Sequence, residues 1–120
     1  RIVEGAAKST GGFPVAPLPP ALPATPPADI AAIPRAYLHY AQICDAPTPT
    51  PAANEELIFT ARCARLPPGE GGIDLAGIFA ALPADLPVSV EVPHEVRKPA
   101  VGVEAWARDM LADARRILGA

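Results

Sequence analysis

The chain is short of the residues that most often anchor a core or a nucleic-acid surface. Aromatics make up 5% of its 120 residues: three Phe, two Tyr and one Trp. Half of the residues are apolar, so the core must be built largely from small side chains. The only cysteines, Cys44 and Cys63, make no disulfide framework, and no CxxC or Cys/His zinc spacing exists. Cys44 lies in an apolar run, where a buried thiol is the favoured reading. Basic clusters are missing too. The longest basic groups are the pairs Arg97-Lys98 and Arg115-Arg116, and the net charge is −3, which argues against a nucleic-acid partner. No signal peptide or transmembrane run appears, so a cytoplasmic protein with no membrane partner is expected. Nor does the chain open on Met. It begins with Arg1 in a helical pattern, which suggests that the front of a larger protein is missing.

Proline, by contrast, is plentiful. Residues 14–34 hold eight of the 17 prolines, and each removes a backbone donor. The tract resists regular structure and favours extended backbone, so residues 14–27 are expected to be an irregular segment. Upstream, "RIVEGAAK" reads as the end of a helix stopped by Gly11-Gly12, and "FPV" as the start of a strand. Pro27 suits a first helical turn, followed by "ADIAAI" and ended by Pro34.

From there, strands and helices alternate. Residues 37–44, "YLHYAQIC", form a strand candidate bounded by Pro34 and by Asp45-Ala-Pro47. "NEELIFTARCAR" places Leu57, Ile58, Ala61 and Ala64 at helical spacing behind a candidate N-cap, Asn54. "LPPGEGG" is a sharp loop, and "IDLAGIFAAL" a helix that Pro83 ends. In "PVSVEVP", Val88, Val90 and Val92 alternate with Ser89 and Glu91, as in a buried strand. The last helix is the clearest: Val103, Trp106, Met110, Ala114, Ile117 and Leu118 fall on one face, with charged residues mostly on the other. This order implies an α/β protein with parallel βα units. Three strands make a small sheet with edges to cover, so self-association through exposed sheet edges is expected.

In parallel sheets and α/β barrels, chemistry gathers at the carboxyl ends of the strands. On the second strand, Gln42 is a polar group in an apolar run that needs a partner. A hydrogen bond to neighbouring backbone satisfies it; so does a metal ion or a substrate. Strand alternation puts His39 on the opposite face, near the strand start, which reads as structural, and Asp45 lies at or past the strand end. On the third strand, the Glu91 carboxylate sits between valines, which is costly unless it is paired or binds a cation. His94 and Glu95 follow, as rim residues or ordinary loop. In "RLPPGEGG", the glycines permit close backbone approach, and Arg65 has the fork that holds a carboxylate or phosphate, with Glu70 beside it. No Gly-Lys-Ser/Thr follows, so the loop is not a P-loop.

Taken in order, "YAQICDAP", "RLPPGEGGIDLAGIFAAL" and "PVSVEVPHE" resemble the C-terminal part of the xylose isomerase-like TIM barrels, the sugar phosphate isomerase/epimerase family. The resemblance covers most of the chain and is strongest from about residue 28 onward. It implies that residues 1–120 are a partial barrel supplying about three βα units, the last of an eight-unit barrel. It further implies one divalent metal such as Mg²⁺ or Mn²⁺. Gln42 matches the seventh-strand ligand of the family, and Glu91 the eighth-strand ligand and a proton-shuttling carboxylate. Arg65 matches the arginine that contacts substrate oxygens before the loop carrying Glu70, also taken as substrate-binding. The fourth-strand Glu of the family would lie upstream of Arg1. At the sixth-strand position the chain departs from the pattern: Ala16 stands where the family's metal Asp belongs and Pro19 where its His belongs. The implied chemistry is proton transfer next to a carbonyl in a sugar, sugar phosphate or related hydroxy-carbonyl substrate. Two other readings stand beside it. Gln in place of His also resembles the 3-dehydroshikimate dehydratase branch, and a chain without its full ligand set fits a non-catalytic remnant or interaction module.

Overall fold

The fold is known from a computed structural model that describes the backbone of residues 13–15 and all of residues 26–120. The expected helix over residues 1–8, Ala16, Pro19 and most of the proline-dense segment lie outside the described residues.

Three parallel strands form one sheet, in the order β1 (Phe13–Val15), β2 (Leu38–Ile43), β3 (Val88–Val90). Strands consecutive in sequence are thus neighbours in space. Ala41, Gln42 and Ile43 pair with Val88, Ser89 and Val90. The ladder runs one step further, because the Glu91 N–H donates to the Ile43 carbonyl at 3.2 Å. Between β1 and β2 the register slips at Phe13/Pro14, where proline has no N–H to give. β3 is shorter than the valine alternation suggests: Val92 lies beyond it and packs against α5.

Between the strands lie α1 (Pro27–Ala31), α2 (Asn54–Cys63) and α3 (Leu75–Ala80), and β3 is followed by α4 (Arg97–Val101) and α5 (Val103–Leu118). Pro27 opens α1 at its first turn, as its fixed φ favours. For α2 the capping expectation fails. Asn54 is already inside the helix, and Ala53 is the N-cap with no side-chain bond. The cap that does form is at α3, where the Asp74 carboxylate accepts from the Gly77 N–H at 2.9 Å. α4 was not legible in advance. It is a single short turn of helix, separated from α5 by Gly102 at φ 89°, a conformation that favours glycine. α5 ends on Gly119 at φ 69°, where the Ala120 N–H closes onto the Arg115 carbonyl.

Helices α3 and α5 pack on the sheet face shared by Ile43, Val88 and Val90. Ile43 is fully buried against Leu75 of α3 and Ala114 of α5, with Val88 and Val90 beside it. Leu38 and Ala41 pack with Ile30, Leu82 and Leu86 at the amino end. Cys44, Val92, Trp106 and Met110 close the carboxyl end, and the Trp106 indole N–H donates to the Val92 carbonyl at 3.0 Å. Strand alternation then turns Gln42, Ser89 and Glu91 to the other face. Ser89 is exposed there, and Gln42 and Glu91 are half-buried.

Two expected apolar faces are not used as the periodicity implies. α2 buries only Thr60, and Ile58 and Phe59 are each 53% exposed. Val103, at the first turn of α5, overhangs the core and is exposed. Their contribution to stability should therefore differ sharply from that of the sheet core. Ile43→Ala should lower the unfolding free energy by about 2–5 kcal/mol through lost burial and a cavity. Ile58→Ala should change it by less than about 0.5 kcal/mol. Urea unfolding of both variants checks the contrast; equal losses would contradict the packing described.

Candidate functional site

The carboxyl ends of β2 and β3 are bridged by the segment that follows α2. Leu66 pairs with Asp45 through two backbone bonds of 2.9 Å, N–H to carbonyl in both directions. On the other side Ala64 bridges His94, and the Arg65 N–H donates to the Pro93 carbonyl at 3.0 Å. Arg65 is thereby held between the exits of the two strands.

Its side chain is largely buried, 12% exposed. The Nε–H donates to the Ala61 carbonyl at 2.6 Å. Nη1 lies 3.2 Å from the Glu91 carboxylate and 3.3 Å from the Glu91 carbonyl. The same nitrogen is 3.9 Å from the Cys44 sulfur. The Glu91 side chain, 44% exposed, remains reachable from solvent. Gln42 pairs with Ser89, so Glu91 lies two residues along on the neighbouring strand, on the same face. The fold thus brings Gln42, Arg65 and Glu91 to one end of the sheet.

Cys44, beside this group, is no nucleophile at neutral pH. Burial pushes its thiol up to about 11, although the Arg65 guanidinium pulls the other way. At Cys63 a hydrogen bond to Glu95 raises the thiol in turn.

Glu70 is placed elsewhere. Its carboxylate takes both Nη groups of Arg97 at 2.7 and 3.0 Å. Arg97 in turn lies 5.6 Å over the Trp106 ring, and the His94 ring meets the same indole edge-on at 5.8 Å. His94 Nδ1 accepts from the Arg97 backbone N–H at 3.2 Å, so it serves the start of α4 rather than the strand mouth. A cleft of about 320 Å³ opens here, lined by Glu70, Arg97, Trp106, Met110, Asp109 and Asp113. His39, near the start of β2, is exposed.

Sequence reasoning placed Asp45 at the mouth and missed what it does. Asp45 is 1% exposed, and its carboxylate accepts four backbone N–H groups: Ala46 and Ile73 on Oδ1, Gly69 and Gly71 on Oδ2. The available signal was the glycine-rich loop itself, whose turned-in N–H groups need an acceptor.

Among the described residues no group of three or more His, Cys, Asp or Glu side chains is placed to hold a metal ion. No family model matches the chain, and no curated protein or solved structure matches it. No described helix is long and apolar enough to cross a membrane.

The Glu70–Arg97–Trp106 stack gives a pH signature. The Arg97 hydrogen bonds hold the Glu70 carboxyl below the ordinary glutamate value of 4.5. A depressed carboxylate stabilises the fold above its unfolded value, and that stabilisation is lost as pH falls through the folded one. The difference in Trp106 fluorescence between wild type and Glu70→Gln should therefore persist from neutral pH down to 4.5 and fade only below it. In Glu70→Gln the emission should already differ at neutral pH. A wild-type–variant difference that is already lost above 4.5 would contradict the pairing.

Proposed function

We propose that this chain carries part of the mouth of a (β/α) barrel of the sugar phosphate isomerase/epimerase kind. There Arg65 holds the oxygens of a small hydroxy-carbonyl substrate, and Glu91 exchanges a proton with the carbon next to the carbonyl. The observation that carries this reading is the meeting of Arg65 and Glu91 at the carboxyl ends of adjacent parallel strands, at 3.2 Å. Two further features support it. The strands neighbour one another in chain order, as barrel strands do, and helices α3 and α5 pack on the face that Ile43, Val88 and Val90 share, opposite to Gln42 and Glu91 by strand alternation.

Arg65 is pre-set for this task. Its guanidinium is fixed by the Ala61 and Glu91 carbonyls, so little side-chain freedom is lost when a substrate oxygen arrives. The Glu91 carboxylate beside it is 44% exposed, and a group that exchanges a proton with a substrate must be open to it. Gln42 and Glu91 offer oxygen donors of the type that a hard divalent cation takes, so in donor chemistry they fit Mg²⁺ or Mn²⁺. Such an ion, when bound, polarises the carbonyl of the substrate. The donor count is low: two of the four family positions carry a ligand here, and Ala16 has no side-chain donor. A 3-dehydroshikimate dehydratase-like lyase is the variant favoured by Gln42 itself. The non-catalytic reading draws on a different observation, that Glu91 is already engaged by a largely buried arginine.

Manganese titration followed by NMR separates these readings without an activity assay. Mn²⁺ should bind this chain in the millimolar range, as expected of an incomplete oxygen set. Paramagnetic broadening should centre on the Gln42 side-chain amide and the Glu91 backbone. Tight one-to-one binding would contradict the incomplete set. Broadening centred on Asp109 and Asp113 instead, or none near Gln42, would remove the metal from this reading and favour a non-catalytic module.

A further inference from the structure

The loop after Arg65 is built around an anion that the chain itself supplies. Gly69 and Gly71 each donate an N–H to Asp45 Oδ2 at 3.0 Å; Ile73 and Ala46 donate to Oδ1 at 3.1 and 2.8 Å. Main-chain bonds join the same two segments. The Gly72 N–H donates to the Ala46 carbonyl at 3.0 Å, and Asp45 and Leu66 exchange two bonds of 2.9 Å. Glycine is demanded at three of these positions, and at Gly72 a Cβ would collide with Thr48. Gly69 has φ 91°, and a Cβ on Gly71 would collide with the Asp45 carboxylate and the Ala46 carbonyl. A carboxylate that is 1% exposed and surrounded by four donors is a tie between segments rather than a group waiting for substrate.

That tie sits between two side chains assigned above. Arg65 precedes Leu66 directly, and Glu70 lies between Gly69 and Gly71. We propose that Asp45 is the positioning residue of the strand mouth: its carboxylate fills the N–H nest of the loop and thereby sets Arg65 at one end and Glu70 at the other. The role given to Arg65 rests on the functional reading above. The loop tie does not. If Arg65 turns out to bind no substrate, the mechanical coupling from Asp45 to Arg65 is still measurable, so the two claims fail separately.

The test uses amide hydrogen exchange and the Arg65 Nε–H resonance in the intact chain. Asp45→Asn keeps the shape of the side chain and removes one acceptor oxygen. It should speed exchange about tenfold or more at two or more of Gly69, Gly71 and Ile73. Amides at Met110 and Ala114 in α5 should keep their wild-type rates. The Arg65 Nε–H signal should move toward that of an exposed arginine. Asp45→Ala should do the same, and added formate should restore both signals, while chloride at equal ionic strength should not. Gly71→Ala, which leaves Asp45 intact, should reproduce the loop change if either Asp45 variant fails to fold. Wild-type exchange at all three loop amides in Asp45→Asn would overturn the proposal. So would an unmoved Arg65 signal in a variant whose loop amides are deprotected, or formate failing to act on folded Asp45→Ala.

Discussion

The arrangement of this chain depends on one buried carboxylate. Asp45 leaves β2 with its side chain turned inward, at a position where an unpaired charge would be costly. Four backbone N–H groups compensate it, three of them from a loop that has no regular structure of its own. The exchange is reciprocal. The loop gives the carboxylate its hydrogen bonds, and the carboxylate gives the loop a single shape. Without it, Gly69, Glu70, Gly71 and Gly72 would be free to sample many conformations. With it, residues 64–73 become a rigid bracket between the exits of β2 and β3.

The electrostatics of the surface follow from that bracket. Arg65 is delivered to Glu91 on the sheet side, and Glu70 is delivered to Arg97 on the side of α4 and α5. The two pairs differ in kind. Arg65 is largely buried and bonded to two main-chain carbonyls, so its geometry is set by the fold. The Glu70–Arg97 pair is nearly half exposed, so it adds little stability of its own. Its consequence is positional: it lays a guanidinium over Trp106 at the wall of the cleft.

Much of the architecture was legible in the residue pattern, and for definite reasons. Alternation in "VSV", the prolines bounding the strand candidates, and the 3.6-residue repeat of Trp106, Met110 and Ala114 are local signals. α4 was not legible, because a single turn bounded by glycine has no period to detect. The exposure of Ile58, Phe59 and Val103 was not legible either, since periodicity says which residues share a face and not whether anything covers it. At the site, the positions of Gln42 and Glu91 came from strand alternation. The pairing of Glu70 with Arg97 joins residues far apart in the chain, and no spacing rule reaches it. The role of Asp45 was not legible for a related reason. An Asp at a strand exit looks like a candidate for chemistry, and only the folded loop reveals that every acceptor site on it is taken by backbone.

The central claim is that Asp45 and Arg65 act as one unit although their side chains make no direct bond. A double-mutant cycle in urea, with Asp45→Asn and Arg65→Lys alone and together, measures that coupling directly. A shared bracket predicts a non-additive interaction of about 0.5–3 kcal/mol. Additivity within about 0.3–0.5 kcal/mol would contradict it and leave Asp45 as the brace of an isolated loop.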